Sequence, residues 1–121
     1  MKKHILFVCR ANVNRSKLAE ELYKNDPRYD VRSAGIYDIP ENFRGKYPDS
    51  KKATEEDVKW ADNIFTFFVR EEFLKKYSLI DETKVTDLEI YDSYNIKISG
   101  HRERLKEILI EKLYPYLGEP Q

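Results

Sequence analysis

The sequence predicts an α/β fold: a four-stranded parallel sheet in three layers, with helices on both faces. Two observations carry this prediction. Runs of strand-forming apolar residues alternate with stretches of helical spacing, in the order β-α-β-(loop, α)-β-α-β-α, and strands joined through helices pair in parallel. The first strand, His4–Val8, is apolar nearly throughout rather than at every second residue, as expected of a strand covered on both faces.

The elements follow in order. After His4–Val8, the spacing of Leu18, Ala19, Leu22 and Tyr23 from Ser16 onward is helical, and Asn25-Asp26-Pro27 ends that helix. Tyr29–Ala34 reads as the second strand, closed by Gly35. Ile36–Lys52, with Pro40, Gly45 and Pro48, reads as a long connection that can carry a short helix. Thr54-Glu55-Glu56-Asp57 resembles a capping box and opens a helix through Val58, Trp60 and Ala61. Asn63–Val69 is rich in strand formers, Glu71–Tyr77 reads as a short helix and Lys84–Leu88 as the fourth strand. Ser99 is the expected N-cap of a last helix with Leu105, Ile108, Leu109, Leu113 and Tyr116 on one face, and Pro115 and Gly118 mark its exit.

Composition narrows the function classes. With 121 residues, 40% hydrophobic and 36% charged, residues 1–121 are expected to form one globular domain. Lys plus Arg and Asp plus Glu both number 22, so net charge provides no reason to expect a nucleic acid or an acidic membrane as partner. A single cysteine excludes an internal disulfide framework, a CxxC pair and a Cys-rich zinc site. His4 and His101 are far apart in sequence, so no metal and no cofactor are expected. The longest early apolar run, Ile5–Cys9, is too short for a secretory h-region or a membrane helix. A reduced, cytoplasmic monomer is the expectation.

In a parallel α/β sheet the ligand site lies at the carboxyl ends of the strands. The segment after the first strand reads Cys9-Arg10-Ala11-Asn12-Val13-Asn14-Arg15-Ser16. A cysteine after an apolar strand is commonly just a small core residue. Here, however, a loop follows it and a helix begins at once after Arg15. Such a loop directs backbone N–H groups and the positive end of the helix dipole toward one point, which suits a phosphate and also stabilises a thiolate. The planar fork of Arg15 matches two phosphoryl oxygens at once. Ser16 can donate to the Cys9 sulfur, and Asn12, tolerant of unusual dihedrals, can pin the loop from inside. Residues 10–16 (Arg10, Ala11, Asn12, Val13, Asn14, Arg15 and Ser16) thus form the candidate phosphate-binding loop, with Cys9 and Arg15 as catalytic candidates.

These residues carry a family resemblance. Ile5–Cys9, Asn12, Arg15-Ser16, Ala19-Glu20 and Ser33-Ala34-Gly35 resemble the opening of the low-molecular-weight protein tyrosine phosphatases. Ala53–Phe65 is similar to a short bacterial branch of that superfamily. Ala11, Asn14 and Lys17 stand where many members have Gly, Cys and Pro. The resemblance implies a four-stranded parallel sheet, a phosphocysteine intermediate, no metal, and phosphotyrosine protein or a small aryl phosphate as substrate. It also implies a general acid in a late loop. Ile90-Tyr91-Asp92-Ser93-Tyr94 is similar to that loop, so Asp92 is the first candidate and Asp87 the second. Tyr94 and Tyr37 are candidate walls of the substrate cleft.

Three rivals remain at this level. Thioredoxin-coupled arsenate reductases share the loop but need further cysteines. A sugar phosphotransfer carrier uses a phosphocysteine but has no need of Arg15. A phosphate- or phosphopeptide-binding module would hold the anion without releasing phosphate.

Overall fold

The computed structural model describes residues 2–78, 80–91 and 93–121. Strand β1 (Lys3–Cys9) pairs in parallel with β2 (Tyr29–Gly35) on one side and β3 (Asn63–Thr66) on the other, and β3 pairs in parallel with β4 (Val85–Asp87). The strand order is β2-β1-β3-β4. The helices are α1 (Arg15–Tyr23), α2 (Glu55–Trp60), α3 (Arg70–Lys76) and α4 (Ser99–Leu117).

The unbroken apolar character of β1 has the expected cause. Successive side chains of a strand point to opposite faces, and both faces are covered. Ile5, Phe7 and Cys9 enter a cluster with Leu18, Ala19 and Tyr23 of α1 and Leu105, Leu109, Leu113 and Leu117 of α4. Leu6 and Val8 enter another with Val58 of α2, Ile64 of β3 and Phe73 of α3. The four α4 leucines recur at every fourth position, making one apolar stripe. Each is fully buried or nearly so, and such burial is worth about 1.5–3 kcal/mol per side chain.

The capping box at Thr54 is present in both directions: Asp57 N–H donates to Thr54 Oγ1 at 3.1 Å, and Thr54 N–H to Asp57 Oδ2 at 3.0 Å. The connection after β2 carries a single 3-10 turn, Glu41–Phe43, and returns to the sheet where Lys52 bridges Gly35.

Three expectations shift. The third strand ends at Thr66 rather than Val69, because Phe68 turns into the left-handed region at φ 60° and cannot continue the pleat. Ser99 is the first residue of α4 rather than its cap, which is Ile98. Pro115 lies inside α4 rather than past its end: burial of Leu117 and the close at Gly118 (φ 72°) hold the last turn despite the missing N–H. Tyr116 accordingly faces outward, 55% exposed, with its ring 5.4 Å from that of Phe65.

The chain end is fastened to the α1–β2 turn. Tyr23 Oη donates to the Gly118 carbonyl at 2.8 Å and Tyr29 Oη to that of Leu117 at 2.9 Å. The Asp26 carboxylate accepts from the Arg28 guanidinium at 2.8 and 3.0 Å and from the Gln121 N–H at 3.0 Å.

Candidate active site

Cys9 closes β1, one of the two inner strands, and the loop of residues 10–14 carries the chain from the sheet into α1. The loop is shaped from within by Asn12, which is fully buried and sits at φ 57°. Its Oδ1 accepts the Lys51 N–H at 3.2 Å, which leaves its amide nitrogen to donate to Ser16 Oγ at 2.8 Å. Ser16 Oγ in turn lies 2.9 Å from Cys9 Sγ. Ser16 accepts from Asn12, so its own hydroxyl proton is available to the sulfur. The chain of contacts from Lys51 through Asn12 and Ser16 therefore ends on Cys9.

Outer contacts hold the loop as well. Ser50 Oγ donates to the Asn12 carbonyl at 2.7 Å, and Ile96 N–H to Asn14 Oδ1 at 3.1 Å. Ile36 N–H reaches the Cys9 carbonyl at 3.0 Å and Tyr37 N–H that of Arg10 at 2.9 Å. With carbonyls turned outward in this way, the N–H groups of Ala11, Asn12, Val13, Asn14 and Ser16 donate to no backbone or side-chain acceptor among the described residues. Helix α1 has no side-chain cap. A row of unused donors at a helix start is an anion cradle.

Arg15, the first residue of α1, is 4% exposed. One terminal nitrogen donates to the Phe67 and Ile90 carbonyls, both at 2.9 Å. The arginine thus joins the segment after β3 to the segment after β4. The Ile90 carbonyl is aimed by a local device: the Asp87 carboxylate accepts the Glu89 N–H at 3.0 Å while Glu89 sits at φ 54°. The other Asp87 oxygen accepts the Thr66 hydroxyl at 2.7 Å. Both oxygens of the second acid candidate are therefore committed to holding the β3–β4 edge. Asp92, the first candidate, lies outside the described residues.

Of the remaining predicted site residues, Arg10 points away from the loop. Its guanidinium is 3.7 Å from the Glu72 carboxylate and 5.5 Å from the centre of the Tyr37 ring. Tyr37 Oη donates to Glu72 at 2.6 Å, a bond that raises its pKa. Lys76 also approaches the Tyr37 ring, at 5.6 Å, and donates to the Ile36 carbonyl at 2.9 Å. Tyr94 is half-buried against the core and meets His101 edge-on at 5.8 Å. Glu20 accepts the Ser33 hydroxyl, tying α1 to β2 beneath the loop.

The sequence reading missed Ser50, Lys51, Phe67 and Ile90. They act through main-chain groups or a single hydroxyl, and such contacts have no residue-type signature. Among the described residues no group of three His, Cys, Asp or Glu stands together as a metal site would require. No helix among them is long and apolar enough to cross a membrane.

No family model and no curated protein matches this sequence. Solved structures do match it. The chain is similar to SP-PTP, a low molecular weight protein tyrosine phosphatase from Streptococcus pyogenes, at 18% identity and TM-score 0.72, covering 95% of this chain and 91% of that one. It is similar to the YwlE arginine phosphatase from Geobacillus stearothermophilus at 20% identity and TM-score 0.68, covering 95% and 92%. The tyrosine phosphatase Wzb from Escherichia coli K30 matches at 20% identity and TM-score 0.66, covering 96% of each chain. The chain has the fold of the low molecular weight protein tyrosine phosphatases.

Proposed function

We propose that the protein is a cysteine-dependent phosphomonoester hydrolase acting on phosphotyrosine or a related aryl phosphate. The observation that carries this is the chain of contacts ending on Cys9, 2.9 Å from Ser16 Oγ, beside a loop of unused N–H groups. In the first step the Cys9 thiolate attacks phosphorus. An S–P bond forms, the P–O bond to the leaving group breaks, and Asp92 gives its proton to the departing oxygen. The loop amides and Arg15 hold the equatorial oxygens, where charge spreads in the transition state. In the second step water attacks phosphorus and the S–P bond breaks. Asp92 takes the proton from the water, and Ser16 stabilises the departing thiolate.

The likeness to solved phosphatase structures supports hydrolysis over simple phosphate binding. The buried Arg15 supports it over a phosphotransfer carrier, and the single cysteine argues against arsenate reduction. The test is hydrolysis of p-nitrophenyl phosphate by the wild-type chain and by Cys9→Ser. Cys9→Ser is expected to abolish turnover and keep the fold, because a hydroxyl is a far poorer nucleophile and leaving group at this position. Full turnover in that variant excludes the covalent route. Anion binding without turnover in the wild type selects the binding module instead.

A further inference from the structure

Phe68 is a bulky residue held at φ 60°, a conformation unfavourable for its side chain. It is nonetheless 43% exposed, so burial does not offset that strain. Its ring stacks on that of Tyr91, 72% exposed, with centroids 4.5 Å apart and planes 25° from parallel. The two residues come from different loops at the carboxyl end of the sheet. Each directly follows a carbonyl that accepts from Arg15: Phe67 precedes Phe68, and Ile90 precedes Tyr91. Register places the backbone leading into Phe68 beside the thiol. Val8 pairs with Thr66, and Phe67 N–H donates to the Val8 carbonyl at 3.2 Å, so Phe67 stands beside Cys9 with Phe68 next in line. The arginine that orients the phosphoryl group therefore also fixes the backbone from which both rings project.

The expected walls are differently occupied. The Tyr37 ring has Arg10 and Lys76 within 5.6 Å of its centre, and the half-buried Tyr94 ring is engaged by His101. The Phe68–Tyr91 stack is exposed, aromatic and tied to the anion site.

We propose that Phe68 and Tyr91 are specificity-determining residues that receive the aromatic ring of the substrate while the loop of residues 10–16 holds its phosphate. This rests on the phosphatase reading above and adds to it the surface that selects aryl over alkyl esters. Stacked aromatic contacts are individually modest, so each ring is expected to contribute about a 2- to 10-fold preference.

The experiment measures binding of phenylphosphonate and methylphosphonate, which do not turn over, to the intact chain. The variants are Phe68→Asn, which tolerates positive φ, and Tyr91→Ser, with thermal melts to verify folding. The wild type is expected to bind the phenyl compound more tightly, and each variant to bring the ratio of the two affinities toward one. An unchanged ratio overturns the proposal, as does an equal loss of affinity for both compounds, which marks a merely structural pair. A wild type that binds neither compound overturns the phosphatase reading and the proposal with it. Aryl selectivity that the variants abolish, in a protein showing no Cys9-dependent turnover of phenyl phosphate, leaves the aryl site standing and removes only the phosphatase reading.

Discussion

Ala11 rests directly on Gly35: a methyl group added at Gly35 would lie 2.8 Å from the Ala11 Cα and carbonyl carbon and 2.9 Å from the Arg10 carbonyl oxygen. All three are main-chain atoms, so no side-chain rotation relieves the clash. The end of β2 is therefore the floor on which the candidate phosphate loop is set. Gly35→Ala should cost about 1–3 kcal/mol of stability, the range for overpacking a tight site. It should also weaken vanadate inhibition by displacing the loop. Urea unfolding and vanadate titration check both, and wild-type values in each would show that the loop does not depend on this floor.

Ser16→Ala removes the donor to Cys9 and leaves the buried Asn12 amide without its acceptor. A hydrogen bond to a charged group is worth about 1.5–3 kcal/mol. Turnover of p-nitrophenyl phosphate should therefore fall about 10- to 100-fold, and iodoacetate should alkylate the thiol more slowly at neutral pH. Unchanged alkylation would place the effect in loop structure instead.

The two acid candidates should separate by leaving group. Asp92→Asn should slow hydrolysis of alkyl and simple phenyl phosphates far more than that of nitrophenyl phosphates, because a good leaving group needs little protonation. Asp87→Asn should show no such dependence. Its carboxylate holds Thr66 and Glu89, so its loss should appear in the melting temperature. Rates across a series of substituted phenyl phosphates decide, and a uniform loss in Asp92→Asn would remove it from the acid role.

Asp26 makes stability depend on acid. The bond from Arg28, aided by the Gln121 N–H, lowers its pKa from 3.8 to about 2. Because the folded value lies below the unfolded one, the carboxylate stabilises the fold fully above pH 4 and loses that contribution as the pH falls through about 2. The difference in urea midpoint between the wild type and Asp26→Asn should thus be largest near neutrality and shrink between pH 4 and 2. A difference constant over that window would mean that the Asp26–Arg28–Gln121 clasp is not linked to protonation.

Much of this protein was legible in the sequence. The unbroken apolar run placed β1, because a strand covered on both faces has no solvent side, and periodicity placed the α4 leucine stripe, because solvent on one side and core on the other impose a pattern that residue types must follow. The brace of Asn12 and Ser16 behind Cys9 was legible for a similar reason: a thiol and the short polar side chains that reach it must follow one another within one loop. The early end of β3 was not legible. Phe67, Phe68 and Val69 are all good strand formers, and the turn at Phe68 is imposed from outside, where Arg15 takes the Phe67 and Ile90 carbonyls. The support of Asn12 by Ser50 and Lys51 and the stacking of Phe68 on Tyr91 were likewise settled only by the tertiary structure. These contacts join segments tens of residues apart through carbonyls, N–H groups and ring faces. Most residues have the first two and many sequences have spare aromatics, so only the folded arrangement decides which of them meet.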